Sequence, residues 1–325
     1  MRRVLVGLGA ATIGVLLGCG GVGSGFPGGF SGDGSTGGGG SGGGGGSGGP
    51  GDAQLNFDTG SSSEGGGGGG DDASDCSAAA KLVYVIDDTG VLYSFDPQVL
   101  KFTTIGNTNC PGADGLINSM AVDRSATAWV NAVNGNIYKV STSNAACEST
   151  SFVVGQHGFG PQFGMGFSAN TSGGTAETLF IDGIGGNGLA TLDLTSMTLN
   201  PIANFGGALA DQDCELTGTG DGRLYGFFTT TPAAVAQIDK TTAGILSDVA
   251  QNGVDTGTDW AFSFWGGSFY LYTADQTLDP DDTSDVTEYD PKVGGPPKIV
   301  LREIGFRIVG AGVSTCAPLV APPVQ

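Results

Sequence analysis

The chain of 325 residues holds a single histidine, His157. One imidazole cannot build a multi-histidine metal or redox centre, and no Cys-x-x-Cys pair supplies thiolate ligands in its place. Bases are scarce as well: twelve Lys and Arg stand against 32 Asp and Glu, a formal charge of −20. So acidic a composition excludes nucleic acid as a partner and argues against adhesion to anionic lipid heads. Helical periodicity is almost missing, and no apolar run reaches the roughly 20 residues of a comfortable membrane span. Phosphate-loop and serine-hydrolase motifs are absent; "GDGRLYG" (220–226) has neither the lysine nor the following helix that phosphate binding needs.

What is present starts at the N-terminus. Met1-Arg2-Arg3 precedes an apolar run from Val4 to Leu17, and small residues follow around Cys19. This is the charged, apolar, small-residue order of a secretory signal. Leu16-Leu17-Gly18-Cys19 resembles the lipobox of bacterial lipoproteins, with Leu17 bulkier than the residue usual there. The resemblance implies that residues 1–18 are a cleaved signal peptide and that Cys19 carries the lipid. It makes the membrane a partner, through acyl chains that contribute about 0.8 kcal/mol per buried methylene. Gly20 is not the aspartate that retains some such lipoproteins in the inner membrane, so the implied location is the cell envelope, at the outer membrane rather than the inner.

Residues 20–75 are rich in glycine and serine, with seven acids and no Lys or Arg. Too few apolar groups are present to offset the entropy of ordering the backbone. With Cys19 the segment 19–75 reads as a lipidated tether, its 56 Gly/Ser-rich residues having an r.m.s. reach of about 40 Å.

From Cys76 onward, short runs of Val, Ile, Leu, Phe, Tyr and Thr alternate with Gly, Asn and Asp turns, as in an all-β domain. A Gly- and Ser-containing strand followed by an aromatic one recurs: "INSMAVD" and "TAWVNAV", "FGMGFSA" and "TLFIDGI", "CELTGTG" and "RLYGFFT", "AFSFWGG" and "SFYLYTA". The starts lie roughly 47 residues apart, the spacing of four-stranded propeller blades. A third strand ends in Asp96, Asp193, Asp239 or Asp290, with Ser141 in the remaining copy. Such a side chain can accept backbone N–H groups two or three residues on and fix the turn to a fourth strand, which makes these aspartates structural. Asn134-Gly135 predicts a two-residue hairpin with positive φ at both positions.

The first blade lacks a Gly- and Ser-containing strand ahead of it, and "RIVGAGVST" (307–315) is such a strand with nothing after it. The expectation is a five-bladed β-propeller over residues 76–317, its C-terminal strand completing the first blade, with a tail at 318–325. Ring closure removes exposed sheet edges; a pair of β-sandwiches is the alternative architecture. The blade pattern resembles the superfamily of YVTN-like and quinoprotein-dehydrogenase-like propellers. Its Asp-Pro-x-Thr-Gly ending is approached at Asp96-Pro97, Asp290-Pro291 and Asp239-Lys240-Thr241. That superfamily includes enzymes, cofactor binders and scaffolds, so the resemblance implies no activity.

In a propeller the connections between blades share one face with the turns between second and third strands, and ligand sites tend to open there. This loop face should carry Asp114, Asp211, Asp213, Glu215, Asp255 and Asp259, with His157, Gln162 and Arg307 beside them. The insertion "DQTLDPDDTSD" adds Asp279, Asp281, Asp282 and Asp285, hard oxygens that could bind Ca²⁺ although the spacing is not that of an EF-hand. No other cofactor is expected. Asp114, Glu215 and Asp259 are the catalytic candidates of the alternative reading, for a carboxylate pair would suit an envelope hydrolase of carbohydrate or lactone type. The Trp260, Phe262, Phe264 and Trp265 cluster reads as blade packing rather than a sugar platform. The favoured reading is a non-enzymatic binding or scaffold module facing an envelope protein or glycan.

With Cys19 lipidated, five cysteines remain. Cys316 ends the closing strand and Cys76 precedes its partner, so a bridge between them would staple the ring. Cys110 and Cys214 belong to one face and Cys147 to the other, which disfavours a Cys110–Cys147 bridge, and at least one thiol should stay unpaired.

Overall fold

In the computed structural model, which describes residues 76–113, 115–274 and 282–323, twenty strands form five four-stranded antiparallel sheets. Cys19, the segments 1–18 and 19–75, and Asp114, Asp279 and Asp281 lie outside the described residues. Each sheet is one propeller blade. The second runs from the axis outward as Ile117–Val122, Thr127–Ala132, Ile137–Ser141 and Cys147–Ser149. The third, fourth and fifth begin with inner strands Phe163–Ala169, Cys214–Gly218 and Asp259–Trp265. In the first, the C-terminal strand Ile308–Val313 lies innermost and pairs with Val83–Asp87, Val83 facing Val313 and Ile86 facing Gly310. The inner strands touch one another in ring order, first to second and so on round to the first again.

Burial follows from this wedge geometry. Inner and second strands are covered on both faces, as in Phe163–Ala169 and Leu224–Phe228, every residue of which is buried. The outermost strands, such as Lys101–Asn107, are largely exposed. A sheet sandwiched between two neighbours needs apolar side chains on successive residues, which is why these strands do not alternate. Close approach at the axis demands small residues: a Cβ on Gly164 would overlap the carbonyl oxygen of Cys214 on the next inner strand.

The turn after each third strand is built as its sequence predicts. Asp96, Asp193, Asp239 and Asp290 each accept backbone N–H groups from two or three residues on, for example Lys292 N–H to Asp290 Oδ1 at 2.8 Å. Ser141 Oγ does the same with Ser143 N–H. Backbone donation holds the Asp193 and Asp239 carboxyls below the usual carboxylate range, aided at Asp239 by the Thr241 hydroxyl, which contributes most there. The second-blade hairpin departs from the two-residue expectation. Gly135 alone takes a left-handed φ of 92°, and its N–H bonds to Ala132 O at 2.8 Å. That is a tight turn with one left-handed glycine, so Asn134 needs no positive φ.

Cys76 and Cys316 are disulfide-bonded, their Cα atoms 5.8 Å apart. Cys110 and Cys147 are bonded too, against the face argument. The outer strand Cys147–Ser149 is only three residues long, about 10 Å at 3.3 Å per residue, so the two faces lie close together at the rim. The connection carrying Cys110 also dips between the first two blades, burying Cys110 and Ala113 against Tyr138 and Val140. Among the described residues Cys214 is the free thiol, fully buried. The tail is held: Gly266 N–H bonds Pro318 O, Ala321 N–H bonds Gly266 O, and Gln98 Nε2 reaches Pro322 O.

Candidate functional site: the loop-face end of the ring

The two carboxylates singled out as catalytic candidates sit within inner strands rather than in loops. Glu215 is the second residue of Cys214–Gly218 and Asp259 the first of Asp259–Trp265, with exposures of 0% and 3%. Glu215 Oε2 accepts the Ser119 hydroxyl at 2.8 Å. Ser119 belongs to the second blade and Glu215 to the fourth, so this bond crosses the axis past the blade between them. Burial pushes the Glu215 carboxyl up to about 8, the Ser119 and Met165 hydrogen bonds offsetting only part of the desolvation.

Asp259 has a different solution to the same burial. Arg307, from the connection into the closing strand, donates Nε to Asp259 Oδ2 at 2.8 Å, Nη2 to Thr258 Oγ1 at 2.6 Å and Nη1 to the Asp282 carbonyl at 2.8 Å. The pair ties the fifth blade to the first, and its side chains are 17% and 5% exposed. Removing one member of so buried a pair leaves an uncompensated charge. Arg307→Leu is therefore expected to destabilise the domain by about 3 kcal/mol, read as a lowered denaturant midpoint. Asp259→Asn combined with Arg307→Leu should recover part of that loss, since no buried charge is then stranded.

A third carboxylate here was not visible as a site residue in the sequence. Asp182, in the second strand of the third blade, lies opposite Gly164 and accepts Cys214 N–H at 2.6 Å. Through that bond it links the third blade to the fourth. Burial raises its carboxyl well above the ordinary range, and burial likewise raises the neighbouring Cys214 thiol. The available signal was an acid inside the otherwise apolar run "TLFIDGI". Asp182, Glu215 and Asp259 each keep one buried oxygen without a hydrogen-bond partner.

No protein-family model and no curated protein sequence matches this chain. Among solved structures it is similar to hydrazine synthase of Kuenenia stuttgartiensis, at 13% identity and a TM-score of 0.40 over 70% of this chain and 64% of that one. It is also similar to a Bacteroides caccae protein of unknown function, at 10% identity and 0.40 over 71% of this chain and 97% of that one. A third is the WD40 domain of Neurospora crassa Pan2, at 16% identity and 0.39 over 69% and 63%. The chain thus spans less than two-thirds of the hydrazine synthase and Pan2 chains. Likeness this remote transfers no activity, substrate or partner.

The other residues expected on the loop face fall into separate settings. Gln162 Nε2 donates to Asn118 Oδ1 at 3.1 Å, and Asn118 in turn donates to Asn131 and the Phe163 carbonyl, an amide network between the second and third blades. Asp213 accepts Gly185 N–H at 2.8 Å. His157 is exposed in the connection ahead of the third blade. Asp282 and Asp285 line a cleft of about 280 Å³ with Asp255, Arg302 and Glu303. There Asp285 pairs with Arg302 and accepts Glu303 N–H. Among the described residues, no three His, Cys, Asp or Glu side chains are placed to hold a metal ion. Trp260 and Trp265 are buried in the blades, Trp265 donating its indole N–H to Lys81 O at 2.9 Å.

Proposed function

We propose that this chain is a lipid-anchored protein of the cell envelope whose propeller serves as a binding or scaffold module. The observation that carries the module reading is the work done by the conspicuous carboxylates. Asp182, Glu215 and Asp259 each connect one blade to another, and all three are buried where hydrolysis would need groups open to a substrate. What the ring offers outward is its loop face, an assembly of connections on a rigid closed frame, the arrangement on which binding residues commonly sit. The anchoring half rests on Leu16-Leu17-Gly18-Cys19 and the apolar run before it.

Cys19→Ala tests the anchor directly. The wild-type chain should incorporate labelled palmitate and partition into the detergent phase, whereas the variant should do neither and keep a folded propeller by circular dichroism. Incorporation of label into the variant would remove Cys19 from the reading.

A further inference from the structure

Charge is divided unequally between the two ends of the ring. The described loop face carries Asp88, Asp211, Asp213, Asp255, Asp282, Asp285 and Glu303, while its only described bases, Arg302 and Arg307, are both already in ion pairs. The opposite end carries the other bases. Five of the six lysines, Lys81, Lys101, Lys139, Lys292 and Lys298, are exposed, and all belong to the fifth, first and second blades, which are consecutive around the ring. Lys139 is at mid-strand; the other four lie at the turns or strand starts of the end opposite the loop face. Acids are present there too, so that end is near balance rather than basic. Asp96, Asp123 and Asp290 direct a carboxylate oxygen to backbone N–H groups of their own turns, and Glu148 and Glu288 complete the set beside the lysines.

The chain enters the folded domain at this same end. Cys76 is bonded to Cys316, just beyond the axial strand Ile308–Val313, and Ser77–Lys81 lead from it into the first blade between the lysine-bearing neighbours. A linker as long as residues 20–75 would by itself let the ring present either end to a bilayer. The surface potential of an anionic leaflet acts within a Debye length and attracts Lys and Arg while repelling carboxylates.

Resting on the anchored reading above, we propose that the lysine-bearing arc of the fifth, first and second blades is a membrane-apposed surface for anionic lipid heads, and that the acidic loop face is thereby held away from the bilayer. The net charge opposes adhesion of the whole domain; its distribution selects which end comes nearest. Partners of the loop face are then molecules that reach it from the aqueous side.

The test uses the lipidated full-length chain reconstituted in vesicles of phosphatidylcholine and phosphatidylglycerol that contain a spin-labelled quencher lipid. A fluorophore is placed on Val293→Cys, 81% exposed beside Lys292, or on Gly206→Cys, exposed in a loop-face connection with open space around it. Quenching at 293 should exceed that at 206 by about threefold at low salt and approach parity at high salt or in pure phosphatidylcholine. Lys292→Glu with Lys298→Glu should narrow the gap. Equal quenching of the two labels at low salt overturns the proposal, and so does a gap that neither salt nor the charge reversal changes, which would make the linker root alone responsible. A chain that fails to associate with vesicles removes the anchoring reading itself, and the apposed surface with it.

Discussion

Cys316→Ser should lower the thermal midpoint of the domain by on the order of 10–15 °C, the largest effect expected of any single substitution outside the axis. The bridge it breaks joins residues separated by 240 positions. In the chain-entropy account, a closed loop of that length confines the unfolded chain by about 5 kcal/mol, more than the roughly 4 kcal/mol for the separation of 37 between Cys110 and Cys147. The position adds to the effect. Every other neighbouring pair of strands within a blade is joined by a turn of the chain, but Ile308–Val313 and Val83–Asp87 come from opposite ends of it, so their pairing has no covalent link except this one. Cys76→Ser, and the double variant, should melt where Cys316→Ser does, because the loss belongs to the bond rather than to either sulfur. Calorimetry with and without reductant measures it. A midpoint unmoved in all three variants would mean that strand pairing and the pinned tail close the ring unaided.

Glu215→Gln should remove part of a pH dependence that the wild-type domain carries. Folding raises the Glu215 carboxyl from an ordinary 4.5 to about 8, chiefly through desolvation. Between those values the folded state holds a proton that the unfolded state has released, so stability falls as pH rises, beginning near the unfolded value and reaching its full loss above about 8. Below the unfolded value the group costs nothing. The loss at full ionisation is on the order of 5 kcal/mol, at about 1.4 kcal/mol per unit. Glutamine keeps an acceptor for Ser119 and carries no charge, so the variant should match wild type in mild acid and exceed it in alkali. Asp182 is raised in the same direction and by the same cause, which leaves a residual slope in the variant. Denaturant midpoints across that pH range decide the matter: parallel curves for the two proteins would show that Glu215 ionises without cost to the ring.

Both effects arise at the axis and the closure, and these were unequally legible in the sequence. The closure could be read, since a strand missing from the first blade and a surplus strand at the end are facts of order along the chain. The turn aspartates could be read for the same reason, each acting on backbone two or three residues away. The Cys110–Cys147 bond could not, because it depends on how far a connection sinks between two blades and how short one outer strand is. Glu215 and Asp259 read from the sequence as loop-face acids; their depth inside inner strands, and the Ser119 and Arg307 that answer them, have no local signal. Ser119 stands 96 positions from Glu215, and nothing local to either announces the other.

By itself, then, the order of residues determined what short apolar strand runs, turn chemistry and a regular repeat can determine: an all-β chain, five blades, the closing strand and the Cys76–Cys316 staple. The tertiary structure alone decided which acids are partnered, which are desolvated, and how charge is shared between the two ends of the ring. The physical reason is range. Strand runs and turns are set by neighbours a few residues apart, whereas burial and electrostatic partnership at an axis are set by strands drawn from every blade, brought together only when the ring closes.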